Sequence, residues 1–106
     1  MSRTATLRTT RFDFVDRAAE LTARALRLRR RGDCRKALVA LREACALDET
    51  EAARWMLLGD LLRRMGKKEE SARAMKQSLY LRERRGERAK ANTIRHILLT
   101  LAGPLR

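Results

Sequence analysis

Few side chains in this chain of 106 residues combine the type and spacing that catalysis or metal binding requires. Cys34 and Cys45 are eleven residues apart, without Cys-x-x-Cys spacing, and the single histidine, His96, is far from both in sequence. Structural zinc takes four such ligands at short spacings, so the sequence predicts no zinc site. No glycine-rich phosphate loop or serine nucleophile motif occurs either. We therefore expect a protein without enzymatic activity, metal or cofactor.

Arginine is the residue type most suited to binding a partner in this chain. Lys and Arg number 26 against 13 Asp and Glu, which gives a formal net charge of +13. Guanidinium groups bind carboxylates through two parallel hydrogen bonds, so this excess favours an acidic partner. Clusters of arginine precede three glycines: residues 27 and 29–31 before Gly32, 63–64 before Gly66, and 82 with 84–85 before Gly86. At a helix C-terminus each cation also offsets the helix dipole by about 0.3–1 kcal/mol. Both interpretations remain open at this point.

The composition predicts an all-α fold. Hydrophobic residues make up 44% of the chain, Ala and Leu recur throughout, and the single proline, Pro104, lies almost at the end. The chain has the length of one ordinary domain. It has neither a signal-peptide pattern nor an apolar segment long enough to span a membrane, so we expect a cytoplasmic protein that does not contact membranes. In a reducing compartment the two cysteines are then small buried hydrophobes, not a disulfide.

Apolar periodicity and helix breakers divide the chain into an arm and five helices. Residues 1–11 carry three arginines and no apolar period, which indicates a flexible basic arm, and residues 12–106 form a single helical domain. Three- and four-residue apolar steps predict helices from Phe12 to about Arg31 and, after an Asp33 cap, to Leu47. A third helix is predicted from about Glu51 to Met65, a fourth between Gly66 and Gly86, and a fifth over residues 87–101.

The chain also repeats itself with a period of 34 residues. When residues 18–51 are laid over residues 52–85, nine of the 34 pairs are identical, including Gly32 with Gly66 and Leu28 with Leu62. About two or three identities are expected by chance in a chain so rich in Ala, Leu and Arg. The shared helix breakers and this excess of identities together indicate two copies of a helical hairpin.

The second copy resembles the tetratricopeptide repeat family, whose period is also 34 residues. The family's opening signature is matched by Trp55-Met56-Leu57-Leu58-Gly59, and Gly66 stands in its turn between helices. Small residues stand where the family's helices cross closely: Ala25, Ala37, Ala44, Gly59 and Ser78. The first copy departs from the pattern with Leu21 in the tryptophan position, and Glu49 and Glu83 stand where the family often has proline. The resemblance implies antiparallel hairpins stacked as a short right-handed array, with residues 87–101 as a terminal capping helix.

The resemblance further implies a concave groove lined by the first helix of each repeat. Its residues here are Leu26, Arg29, Arg30, Met56, Asp60, Arg63, Arg64 and Lys90. Two pairs of arginines recur in it at the repeat period. The implied function is a protein–protein interaction module, an adaptor, scaffold or chaperone-like protein, that binds an acidic peptide or a partner helix in this basic groove.

Two alternatives remain from the residues alone. The charge also suits non-specific nucleic-acid binding, although only four aromatic residues are present and Trp55 is expected in the core, so no stacking surface is evident. A self-associating subunit is the second alternative, because two short repeats bury little core and an apolar face around Phe14 or Ile97 would suit a second chain.

Overall fold

The computed structural model describes residues 11–103, which form five α-helices and, within that range, no β-strand. The helices are α1 (Arg11–Arg30), α2 (Cys34–Leu47), α3 (Ala52–Arg64), α4 (Lys68–Arg84) and α5 (Arg88–Ala102). The predicted all-α class is confirmed. Residues 1–10, which make up most of the predicted arm, lie outside the described residues, while Arg11, placed at the end of that arm, is the first residue of α1.

Three of the helices end in the same kind of turn. Gly32, Gly66 and Gly86 follow α1, α3 and α4 with φ of 84°, 79° and 70°, a region that favours glycine. After α3 the N–H of Lys67 donates to the carbonyl of Leu62 at 2.9 Å, and the N–H of Gly66 donates to the carbonyl of Arg63 at 3.0 Å. This pair of bonds defines the Schellman ending of a helix, and the other two turns repeat it.

The arginine clusters lie in the last turns of α1, α3 and α4, as their positions before glycine predict. At these positions their positive charges offset the negative end of each helix dipole, whether or not they also bind a ligand. The start of α2 is also as predicted, since the Asp33 carboxylate accepts a hydrogen bond from the backbone N–H of Lys36 at 3.3 Å.

The chain divides into two compact units, residues 1–48 and 49–106. In the first unit α1 packs on α2. Its core is built on four alanines that are at most 1% exposed, Ala18 and Ala25 from α1 and Ala37 and Ala44 from α2. Side chains this small let the two helix backbones approach closely. Cys45 is buried as predicted, whereas Cys34 is half-buried instead of buried, and no disulfide joins the two.

In the second unit α3 packs on α4, and α5 packs on α4. The hydroxyl of Ser71 donates to the carbonyl of Gly59 at 2.6 Å, and that of Ser78 donates to the carbonyl of Ala52 at 2.8 Å. The later serine meets the earlier carbonyl, so α3 and α4 run antiparallel. Both serines are fully buried, and each hydrogen bond joins an α4 side chain to the α3 backbone.

The packing of the two hairpins follows the 34-residue period. The close-approach positions of the second hairpin, Ala52, Gly59, Ser71 and Ser78, correspond one by one to the four alanines of the first, and all are buried. The period breaks at the end of the second copy. Whereas α2 ends at Leu47, α4 continues to Arg84, so Glu49 lies in a loop and its counterpart Glu83 lies in a helix.

Candidate functional site

The residues that the resemblance assigns to a groove lie on three helices. Leu26, Arg29 and Arg30 belong to α1 in the first unit, and the remaining five belong to α3 and α5 in the second: Met56, Asp60, Arg63, Arg64 and Lys90. A continuous groove that runs across both sets stays a prediction.

In the second unit three of the predicted residues line an open groove between α3 and α5, which we name the α3/α5 groove. Met56, Asp60 and Arg63 follow one another at four- and three-residue steps and form a single stripe on α3. Ile97 and Thr100 line the opposite wall, and Met75 of α4, only 1% exposed, also contributes to the lining. The groove has a volume of about 210 Å³, enough for one or two side chains of a ligand.

Asp60 controls the charge at the rim of this groove. Its carboxylate accepts a hydrogen bond from Nη2 of Arg63 at 2.6 Å and another from Nε of Arg64 at 3.1 Å. Each guanidinium has five N–H donors, so each keeps several for a ligand. The two guanidinium groups and the one carboxylate carry a net charge of +1, and their hydrogen bonds fix the positions of both arginine side chains. The three- and four-residue spacings were visible in the sequence as a signal for these pairs.

Lys90 lies away from the groove lining. It precedes Ile97 by seven residues on α5, a rise of about 10 Å. Its Nζ lies 3.5 Å from a carboxylate oxygen of Glu87, on the turn that leads into α5. The same carboxylate accepts hydrogen bonds from Nη1 of Arg82 at 3.2 and 3.3 Å. Hydrogen bonding from Arg82 lowers the pKa of Glu87, with smaller contributions from the charges of Arg82 and Lys90.

The predicted residues of the first unit lie in a different electrostatic setting. Leu26 and Arg29 are half-buried, and Arg30 is exposed in the last turn of α1. Leu26 occupies the position that corresponds to Asp60, so the carboxylate that holds the second arginine pair has no counterpart on this stripe. The arginine pairs therefore recur in sequence, but their local environments differ.

The structure also shows a groove that the sequence interpretation missed, between α1 and α2 in the first unit. We name it the α1/α2 groove; its volume is about 380 Å³ and its lining is Arg17, Leu21, Arg24, Leu28, Lys36, Val39, Ala40 and Glu43. Val39 is 63% exposed, although most of the apolar side chains of α2 are buried. In the sequence Val39 stands within the apolar run of residues 37–41, so nothing there marks it as exposed or shows which stripe of α1 it faces.

A corresponding groove exists in the second hairpin, at positions related to the first by the 34-residue period. This α3/α4 groove has a volume of about 310 Å³ and is lined by Trp55, Leu58, Leu62, Glu70, Arg73, Ala74 and Gln77. Every one of these residues lies 34 positions after a residue of the α1/α2 groove. Trp55 is half-buried here instead of lying in the core as expected, and its Nε1 donates to the carbonyl of Glu49 at 3.0 Å.

Other chemistry has no visible site in the described residues. No three His, Cys, Asp or Glu side chains between residues 11 and 103 come together as metal ligands. His96 is exposed on α5. None of the helices within that range has the length and hydropathy needed to span a membrane.

No protein-family model matches the chain, and a search of curated proteins gives no match.

Proposed function

We propose that this chain is a non-catalytic protein-interaction module of the tetratricopeptide-like type, and that its α3/α5 groove binds an acidic peptide segment. The observation that carries the proposal is the composition of that groove. Met56, Met75 and Ile97 give it an apolar lining, and Arg63 and Arg64 stand at its edge, oriented by Asp60. An apolar lining beside a few fixed polar groups is typical of ligand-binding sites.

The charges at the edge favour an acidic ligand. The side chains of Arg63 and Arg64 are 45% and 61% exposed, and the N–H groups that Asp60 does not use are available to a carboxylate. Because Asp60 already holds both arginine side chains in place, these side chains lose less conformational entropy when a ligand binds them. The net charge of +13 would increase the association rate with such a ligand at low ionic strength.

The tetratricopeptide-like assignment is supported by three recurrences at 34 residues. These are the glycine turns, the four small residues at the close approach of each hairpin, and the matching grooves on one face of each hairpin. In such modules a few groove residues determine which ligand binds. The scaffold therefore indicates a binding function, and the chemistry of the groove indicates the kind of partner.

Methyl NMR provides the test. The probe is a peptide of about ten residues that alternates leucine with glutamate, added to protein labelled at methionine and isoleucine methyls. We expect the signals of Met56, Met75 and Ile97 to shift. Those of Met65 and Ile94, which do not line the groove, stay in place and serve as internal controls. Peptide binding without shifts at the three groove methyls would overturn the proposed site.

A charge-matched pair of variants tests the role of the arginines. Arg63→Gln removes a guanidinium at the edge of the groove, and Arg84→Gln removes one on α4 that contacts Tyr80 instead. A hydrogen bond to a charged group contributes about 1.5–3 kcal/mol, so Arg63→Gln should lower the affinity for the peptide at least about tenfold. Arg84→Gln should change the affinity less than about twofold. Equal losses in the two variants would show that only the overall charge matters.

A further inference from the structure

The α1/α2 groove lies on the first unit and shares no residue with the α3/α5 groove. Its lining consists of two helical stripes, one from residue 17 to residue 28 of α1 and one from residue 36 to residue 43 of α2. The longer stripe covers a rise of about 16 Å, which equals three turns of a helix. The groove thus has the length to take a short helix along its axis.

The floor of this groove is apolar and accessible. Leu21 and Ala40 are buried at its base, Leu28 is half-buried, and Val39 leaves 63% of its surface exposed. In the corresponding groove of the second hairpin, Arg73 occupies the position of Val39. An exposed valine on this floor is therefore a feature of the first unit and not of the repeat.

The walls of the groove carry unbalanced positive charge. Arg17, Arg24 and Lys36 stand against one acid, Glu43. In the described part of the chain the guanidinium groups of Arg17 and Arg24 have no hydrogen bond or ion pair, and Lys36, 72% exposed, lies 3.8 Å from Asp33. In the α3/α4 groove the charges of Glu70 and Arg73 cancel. The two grooves lie at corresponding positions of the repeat but differ in net charge. The excess positive charge of the α1/α2 groove therefore favours an anionic ligand there.

We propose that the α1/α2 groove docks an amphipathic acidic helix of a partner protein, about three turns long. Its apolar face would cover Val39 and Leu28, and its carboxylates would pair with Arg17, Arg24 and Lys36. This surface is additional to the α3/α5 groove and does not depend on the function proposed for that groove.

The same observations disfavour two other occupants. A second copy of this chain carries a net charge of +13, so two basic surfaces would meet. Single-stranded nucleic acid would suit the charges, but it has no aliphatic side chains to cover the floor, and none of the groove residues is aromatic, so its bases would find no stacking surface.

The test uses a helix-forming peptide of about 14 residues with leucine on one face and glutamate on the others. The protein is labelled at valine methyls, and Val15, which does not line the groove, is the internal control for Val39. We expect the Val39 signals to shift and the Val15 signals to stay in place. A version of the peptide with lysine in place of glutamate should bind at least tenfold more weakly.

Two charge-reversal variants localise the interaction. Arg17→Glu with Arg24→Glu should raise the Kd at least tenfold. Arg73→Glu with Lys76→Glu lowers the net charge by the same amount from the second unit and should change the Kd less than twofold. Val39→Glu should weaken binding several-fold while the circular dichroism spectrum stays unchanged, because this side chain is exposed.

Several results would overturn the proposal. These are equal losses in the two charge-reversal variants, peptide binding without Val39 shifts, and equal binding of the lysine peptide. Tighter binding of single-stranded RNA than of the acidic peptide, with the same dependence on Arg17 and Arg24, would assign the groove to nucleic acid. Dimerisation of the chain that Arg17→Glu with Arg24→Glu abolishes would assign it to a second copy. Failure at Met56, Met75 and Ile97 concerns only the α3/α5 groove, so the two proposals are tested separately.

Discussion

The contact between Gly59 and Met75 joins the core of the second unit to its groove. A Cβ at residue 59 would lie 2.9 Å from Cγ, 3.0 Å from Cε and 3.1 Å from Sδ of Met75. Carbon atoms in contact prefer about 3.5–4.0 Å, so Gly59→Ala forces Met75 to move by at least about half an ångström. Met75 is 1% exposed, so its side chain must repack among buried neighbours or shift towards the α3/α5 groove that it lines.

Two effects of opposite sign set the magnitude of this substitution. Overpacking of a core costs about 1–3 kcal/mol, while Ala in place of Gly within a helix contributes about 1 kcal/mol. We expect Gly59→Ala to lower the free energy of unfolding by about 1 kcal/mol. In a Met75→Ala background all three crowding atoms are gone, and the same substitution should raise it by about 1 kcal/mol. The coupling between the two sites is then about 2 kcal/mol.

Urea unfolding followed by the fluorescence of Trp55, the single tryptophan, measures this cycle within the second unit. Met75→Ala alone is expected to cost about 2–5 kcal/mol, so all four proteins are compared in the same concentration of a stabilising osmolyte. Ala53→Gly at an exposed position of α3 gives the helix-propensity effect without packing. A Gly59→Ala effect of the same sign and size in both backgrounds would refute the close-contact argument.

Two further predictions concern the turns of the second unit. Because Arg82 lowers the pKa of Glu87 below its usual value of 4.5, the ion pair stabilises the fold above that value and loses its effect as the pH falls through the lowered folded-state pKa. Glu87→Gln should therefore flatten the loss of stability in urea titrations carried below pH 4.5, and an unchanged slope there would contradict it. Gly66 has φ of 79° and no atom within 4 Å of an added Cβ. Gly66→Ala should therefore lower the free energy of unfolding by about 1–2 kcal/mol through backbone strain alone, and Gly66→Asn should lower it less. Equal losses of stability in the two variants would point to another cause.

Part of the candidate site could be predicted from the sequence. The stripe of Met56, Asp60 and Arg63 follows from helical periodicity once α3 is located, and the structure places all three in one groove. The capture of Arg63 and Arg64 by Asp60 is also local, since these residues are three and four positions apart. Lys90 was placed in the groove by the resemblance, but its partner Glu87 lies at the start of α5, away from the lining.

The sequence by itself determined where the helices begin and end and where they approach closely. Gly32 and Gly66 end helices because their backbone angles favour glycine, and Asp33 starts one because its carboxylate reaches the next turn. The small residues of each hairpin carry the period because only they fit between close backbones. All of these effects act over a few residues or at one crossing, so they leave a local pattern.

Only the tertiary structure decided which stripes face each other across the grooves. Met75 joins Met56 and Ile97 although about 20 residues separate it from each of them, and Val39 lies in one groove with Arg17, which is 22 positions earlier. Such neighbours depend on how each helix rotates as its side chains interlock with those of the next. That rotation is set by the packing of all the facing side chains together, and no single helix carries it in its own sequence.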